Sequence, residues 1–148
     1  MLYTPIYDVR SRAFCGPTAI AAVTGEPVSV IRDVVRGLRG PRSNGTRRAI
    51  MGMSNTELLK VMTMLGWNLT ERDPAYRTGV LRLGDFLDTR ARNDGPFVVN
   101  VRNHYYAASH GEVCDTNLQI PIEIERFRNG RQRWVQRWWK FTRDDARA

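Results

Sequence analysis

The chain is poor in lysine, histidine and cysteine, and no apolar run is long. Lysine occurs only at Lys60 and Lys140, so the net charge of +8 is carried almost wholly by arginine. The two histidines, His104 and His110, lie close to Cys114, but nothing matches the paired Cys-x-x-C or His-Glu-x-x-His spacing of zinc sites, so neither a metal nor another cofactor is expected. The longest apolar run, Ala19 to Val23, falls far short of the roughly 20 residues that a membrane-spanning helix needs. The start, MLYTPIYDVR, lacks the basic region followed by an apolar one that marks a secretory signal. A soluble, cytoplasmic protein with two free thiols is therefore expected, and no membrane partner.

At 148 residues, with 42% hydrophobic composition, the chain suits one compact domain spanning 1–148, with only Asp144 to Ala148 frayed. Its cations are clustered. Arg36, Arg39, Arg42, Arg47 and Arg48 fall in one acid-free stretch, and Arg126, Arg128, Arg131, Arg133, Arg137, Lys140 and Arg143 fall in another. Such clustering predicts basic patches facing an acidic partner, either nucleic acid or an acidic protein. Trp134, Trp138 and Trp139 alternate with arginines there, which suits a hairpin covering the core better than a stacking surface for bases.

Helical periodicity dominates the first 92 residues. Cys15 to Thr24 reads as a short helix, with Pro17 in its first turn and Gly25 at its end. Val28, Ile31, Val34, Val35 and Leu38 predict a second helix over 28–38. RGLRGPRSNGTRRAIMGM, from Arg36 to Met53, reads as a long loop. Ser54 and Glu57 form a capping box that opens a third helix ending at Gly66, and a fourth covers Leu83 to Ala91. From about residue 95 to 143 the pattern is that of strands. PFVVNV is one, and HYYAASHGEVCDT reads as two strands around a turn at His110-Gly111. IPIEIERFR and RQRWVQRWWKF are expected to form a second hairpin joined by Asn129-Gly130. Helices first and an antiparallel sheet after is an α+β arrangement.

This arrangement places a cysteine among the unpaired N–H groups of a helix start, where thiolate is favoured over thiol. A nucleophile there needs an imidazole base and a group to orient it. If the turn is at His110-Gly111, Ser109 faces Glu112 and the pairing runs back to His104 opposite Asn117, with Asp115 diagonal on the same face. Either Asp115 or Asn117 can accept the imidazole proton. The same parity sends Cys114 to the opposite face as a packed thiol, and His110 is left as a solvated turn residue.

CGPTAIAAVTG, followed about 90 residues later by HYYAASHGEVCDT, resembles the papain-like cysteine peptidases, most closely the small bacteriocin-leader (double-glycine) group. The resemblance covers about residues 10 to 117 and implies a papain-like fold. It assigns Cys15 as nucleophile, His104 as base and Asp115 as orienting carboxylate, in a hydrolase of peptide or isopeptide bonds with an acyl-enzyme intermediate. The basic patches would then recruit an acidic substrate. An acyltransferase uses the same three groups with an amine in place of water. One departure stands out: the family places a glutamine five or six residues before the nucleophile, where this chain has Arg10 and Val9, and no glutamine precedes Gln119. Arg10 and Ser11 are the candidates to replace that oxyanion donor, whose loss typically costs about a hundredfold or more in rate. The other reading is a catalytically impaired papain-fold protein that binds nucleic acid or an acidic protein through its arginines.

Overall fold

The computed structural model describes residues 1–9, 15–40, 52–74 and 79–143. Four α-helices are described: α1 (Cys15–Thr24), α2 (Val28–Arg39), α3 (Asn55–Met64) and α4 (Leu83–Thr89). Six strands, β1 (Trp67–Arg72), β2 (Phe97–Val101), β3 (His104–Ser109), β4 (Glu112–Cys114), β5 (Ile122–Glu123) and β6 (Arg137–Arg143), form one antiparallel sheet in the order β1-β6-β2-β3-β4-β5. The α+β class is as the periodicity predicts, but β1 falls between α3 and α4, so the helices do not all precede the sheet.

Helix α1 is buried from Gly16 to Thr24, as an apolar helix without a polar face must be. Its alanines let it lie close to β3, and Gly16 leaves no room to spare: a Cβ there would stand 2.7 Å from the Met53 sulfur. At the other end Gly25, at φ +78°, donates to the Ala21 carbonyl and stops the helix. Helix α2 buries Val28, Ile31 and Val35 and ends at Arg39, one residue beyond the predicted span, so the loop expected from Arg36 begins later. The cations Arg36 and Arg39 suit the negative end of that helix. The capping box of α3 is complete, Glu57 N–H donating to Ser54 Oγ and Ser54 N–H to Glu57 Oε1, each at 3.1 Å.

The sheet separates two cores. Val98, Tyr105, Ala107 and Cys114 face α1 to α3. On the other side Phe97, Val99, Tyr106 and Val113 pack with α4, around an aromatic cluster of Phe86, Phe97 and Trp138 with centroids 5.1 to 5.8 Å apart. Burial on both faces explains why β2 reads as a continuous apolar run.

One expectation fails in the second half. The Asn129-Gly130 hairpin does not form. Instead β5 is two residues long and pairs with β4, a 3-10 turn follows over Ile124–Arg126, and β6 lies between β1 and β2. Central pairing on both edges buries Trp138, Trp139 and Phe141, and no isolated hairpin offers that area. Arg131 holds the intervening loop by donating to the carbonyls of Ile124 and Phe127 and to Asp88. Strand β1, for which the sequence reading has no element, pairs only with β6, as an edge strand. Its mostly exposed WNLTER lacks the apolar alternation that would announce it. The tryptophans serve the core: Trp138 and Trp139 are buried, and Trp134 lies under the Arg82 guanidinium, 4.1 Å from the ring.

Candidate active site

Cys15 is the first residue of α1, half-buried, with its Sγ 3.5 Å from the Asn103 carbonyl. Burial pushes its thiol up, but hydrogen bonds with His104 and with the backbone of Tyr105 and Gly16, together with the imidazole charge, outweigh that and hold it below its ordinary value. His104 opens β3, where the strand leaves the Arg102-Asn103 turn, whose two residues have positive φ (49° and 62°).

The predicted register holds as far as the ladder runs, with Ser109 paired to Glu112 and Ala107 to Cys114, but β4 ends there and the chain turns away, so His104 does not pair with Asn117. Asp115 consequently lies on the His104 face, with Oδ2 2.7 Å from His104 Nε2. With Nε2 on the carboxylate, Nδ1 is the ring nitrogen left for the thiol. Asp115 is 2% exposed and is itself held, its Oδ1 accepting the Leu118 N–H at 2.9 Å and its carbonyl the Gln119 N–H. The Asp115 hydrogen bond first, and the Cys15 hydrogen bond second, push the imidazole up to about 9 against the opposing effect of burial. A depressed thiol beside a raised imidazole is the electrostatic signature of a thiolate–imidazolium pair.

The other candidates separate from this cluster. Asn117 is exposed in the turn after β4, so of the two proposed acceptors Asp115 takes the imidazole. Cys114 is buried in the helix-side core, on the face of the sheet opposite His104, and its thiol is pushed up to about 12, chiefly by burial. His110 sits exposed at the hairpin turn, at φ 45°, its Nδ1 2.8 Å from Ser109 Oγ. Arg10 and Ser11 lie outside the described residues, as do Arg42, Arg47 and Arg48; Val9 packs against the helix-side core.

A second polar group escaped the sequence reading. Asn55 Oδ1 accepts from the Tyr105 hydroxyl (2.7 Å) and from Asn100 Nδ2 (2.8 Å), and Asn100 Oδ1 accepts from the Asn103 N–H (3.1 Å). This network fixes the turn whose carbonyl touches Cys15. It lines an open cavity of about 440 Å³ that reaches Gln136 and Arg137. The available signal was Asn100, a polar residue inside the otherwise apolar FVVNV.

No family model and no curated protein matches the chain. Among solved structures, a double glycine motif protease from an AMS/PCAT transporter, in complex with the leader peptide, superposes with a TM-score of 0.53 over 97% of this chain and 92% of that one, at 16% identity. The chain thus shares the fold of a double glycine motif protease.

Proposed function

We propose that the protein is a cysteine peptidase in which Cys15 is the nucleophile, His104 the general acid and base, and Asp115 the group that orients the imidazole. The supporting observation is the placement of His104 between a depressed thiol and a buried, doubly held carboxylate. The Cys15 thiolate attacks the carbonyl carbon of the scissile bond. The resulting oxyanion faces the first N–H groups of α1, the Cys15 N–H among them. His104 then gives its proton to the departing amine, and the bond breaks to leave a thioester on Cys15. Neutral His104 next takes a proton from water, whose oxygen attacks the thioester, releasing the carboxylic acid and restoring the pair. The solved protease neighbour holds a leader peptide, which favours a peptide as the substrate here.

The test is the pH dependence of Cys15 alkylation by iodoacetamide, read by intact mass, with His104→Ala and Cys114→Ser alongside. Alkylation should persist well below the reference thiol value of about 8.5 and move upward when His104 is removed. Cys114→Ser should leave the profile unchanged. A Cys15 that titrates like a free thiol and ignores His104 would rule the peptidase out and favour a fold used for binding alone.

A further inference from the structure

A cavity of about 380 Å³ lies on the Asp115 side of the imidazole. Asp115 and Tyr106 form part of its wall, and the Tyr106 ring meets His104 edge to face at 4.7 Å. Arg126, Arg128 and Arg133 line the same space.

Several arginines elsewhere in the protein are matched by a carboxylate. Arg39, Arg90, Arg92, Arg131 and Arg137 each reach a carboxylate within 3.0 Å or slightly more. Around the cavity, Arg126 comes only within 3.9 Å of Glu123, with both side chains mostly in solvent, where such a pair contributes little. Among the described residues no carboxylate lies within ion-pair distance of Arg128 or Arg133. The Asp115 charge in the wall is already engaged, by His104 on one oxygen and the Leu118 N–H on the other. The described lining thus sets three arginines against the one carboxylate of Asp115.

The rim is also held in place. Arg131, ion-paired to Asp88, ties down the loop that carries it. Arg133 lies near the Tyr106 hydroxyl. Gly130, at φ +95°, lies so close over that hydroxyl that a Cβ would be 3.4 Å from it. Two guanidinium groups on an anchored loop, around a partly apolar cavity, match a carboxylate: each offers paired N–H donors in the plane that a carboxylate needs.

We propose that this cavity is a carboxylate-binding subsite for the peptide substrate, in which Arg128 and Arg133 grip an acidic group beside the catalytic pair. It rests on the peptidase reading for the identity of the ligand, but it can be tested without turnover. The full-length Cys15→Ala protein would be titrated, by fluorescence anisotropy at fixed salt, with three alanine-based octapeptides carrying a neutral dye. One is amidated with two adjacent glutamates, one is amidated with two glutamines, and one has the two glutamines and a free C-terminal carboxylate. At least one carboxylate probe should bind about tenfold or more tightly than the amidated glutamine peptide. Preference for the glutamate probe assigns an internal acidic side chain, and preference for the third assigns a chain terminus. R128Q/R133Q, two exposed positions whose folding is checked by Tm, should remove the preference. Equal binding of all three probes overturns the proposal, as does a preference that survives R128Q/R133Q. So does a single-stranded oligonucleotide that displaces the glutamate probe and loses its own binding in the same variant. The alkylation profile of Cys15 judges the peptidase separately, since it does not involve these arginines.

Discussion

Asp115 decides the charge state of His104, because its carboxylate is the strongest influence on the ring and is nearly dry. Replacing it with asparagine keeps the shape and removes the charge. In Asp115→Asn the imidazole should titrate well below about 9, as followed by NMR of its ring protons, and Cys15 alkylation near neutral pH should slow by about tenfold or more. The same residue predicts a stability profile. A histidine raised from an unfolded value of about 6.5 to about 9 stabilises the fold fully below 6.5, and that contribution fades as pH rises toward 9. The depressed Cys15 thiol contributes with the opposite sign: its stabilisation is present above about 8.5 and fades as pH falls through the folded value. Thermal melts in a Cys15→Ser background isolate the histidine. Tm should fall above pH 6.5 there, over a window that closes below 9 because the Cys15 contribution to the ring is gone, and fall less when Asp115→Asn is added.

At the scale of elements, the site is made where three of them end. The N-terminus of α1 brings unpaired N–H groups, the turn into β3 brings His104, and the strand end after β4 brings Asp115. The turn into β3 needs support because two successive residues hold positive φ without being glycine. Asn100 and Asn55 give it that support from β2 and the start of α3. Asn100→Ala leaves the Asn103 N–H without its acceptor and should cost about 1–3 kcal/mol in urea unfolding. It should also raise the apparent pKa of Cys15 alkylation, since the Tyr105 backbone hydrogen bond that favours the thiolate is then less well held. A loss of stability with an unchanged alkylation profile would confine the network to a structural role.

For the whole molecule, the sheet is what joins the two cores, and its central strands carry most of the large side chains. Phe86, packed against Phe97 and Trp138, is fully buried. Phe86→Ala should cost about 3–5 kcal/mol, a large part of the 5–15 kcal/mol typical of a domain. The measurement is the shift in urea midpoint, and a change under about 1 kcal/mol would mean that this aromatic cluster is not a main support of the sheet.

Local signals were enough wherever a few neighbouring residues settle the outcome. The span of α1, the Ser54–Glu57 box and the β3–β4 register followed from caps, periodicity and one tight turn, and that register put Asp115 and Asn117 both on the His104 face. By itself the sequence therefore determined the fold class and narrowed the partner of His104 to two residues, while the association of Cys15 with them came from the family resemblance. Only the tertiary structure decided the path after Glu123, where Asn129-Gly130 favours a local hairpin but burial of β6 between two distant strands outweighs it. The same holds for the Asn55–Asn100–Tyr105 network and for which arginines are matched by a carboxylate. Those depend on partners tens of residues away, and no local pattern encodes which distant side chain arrives.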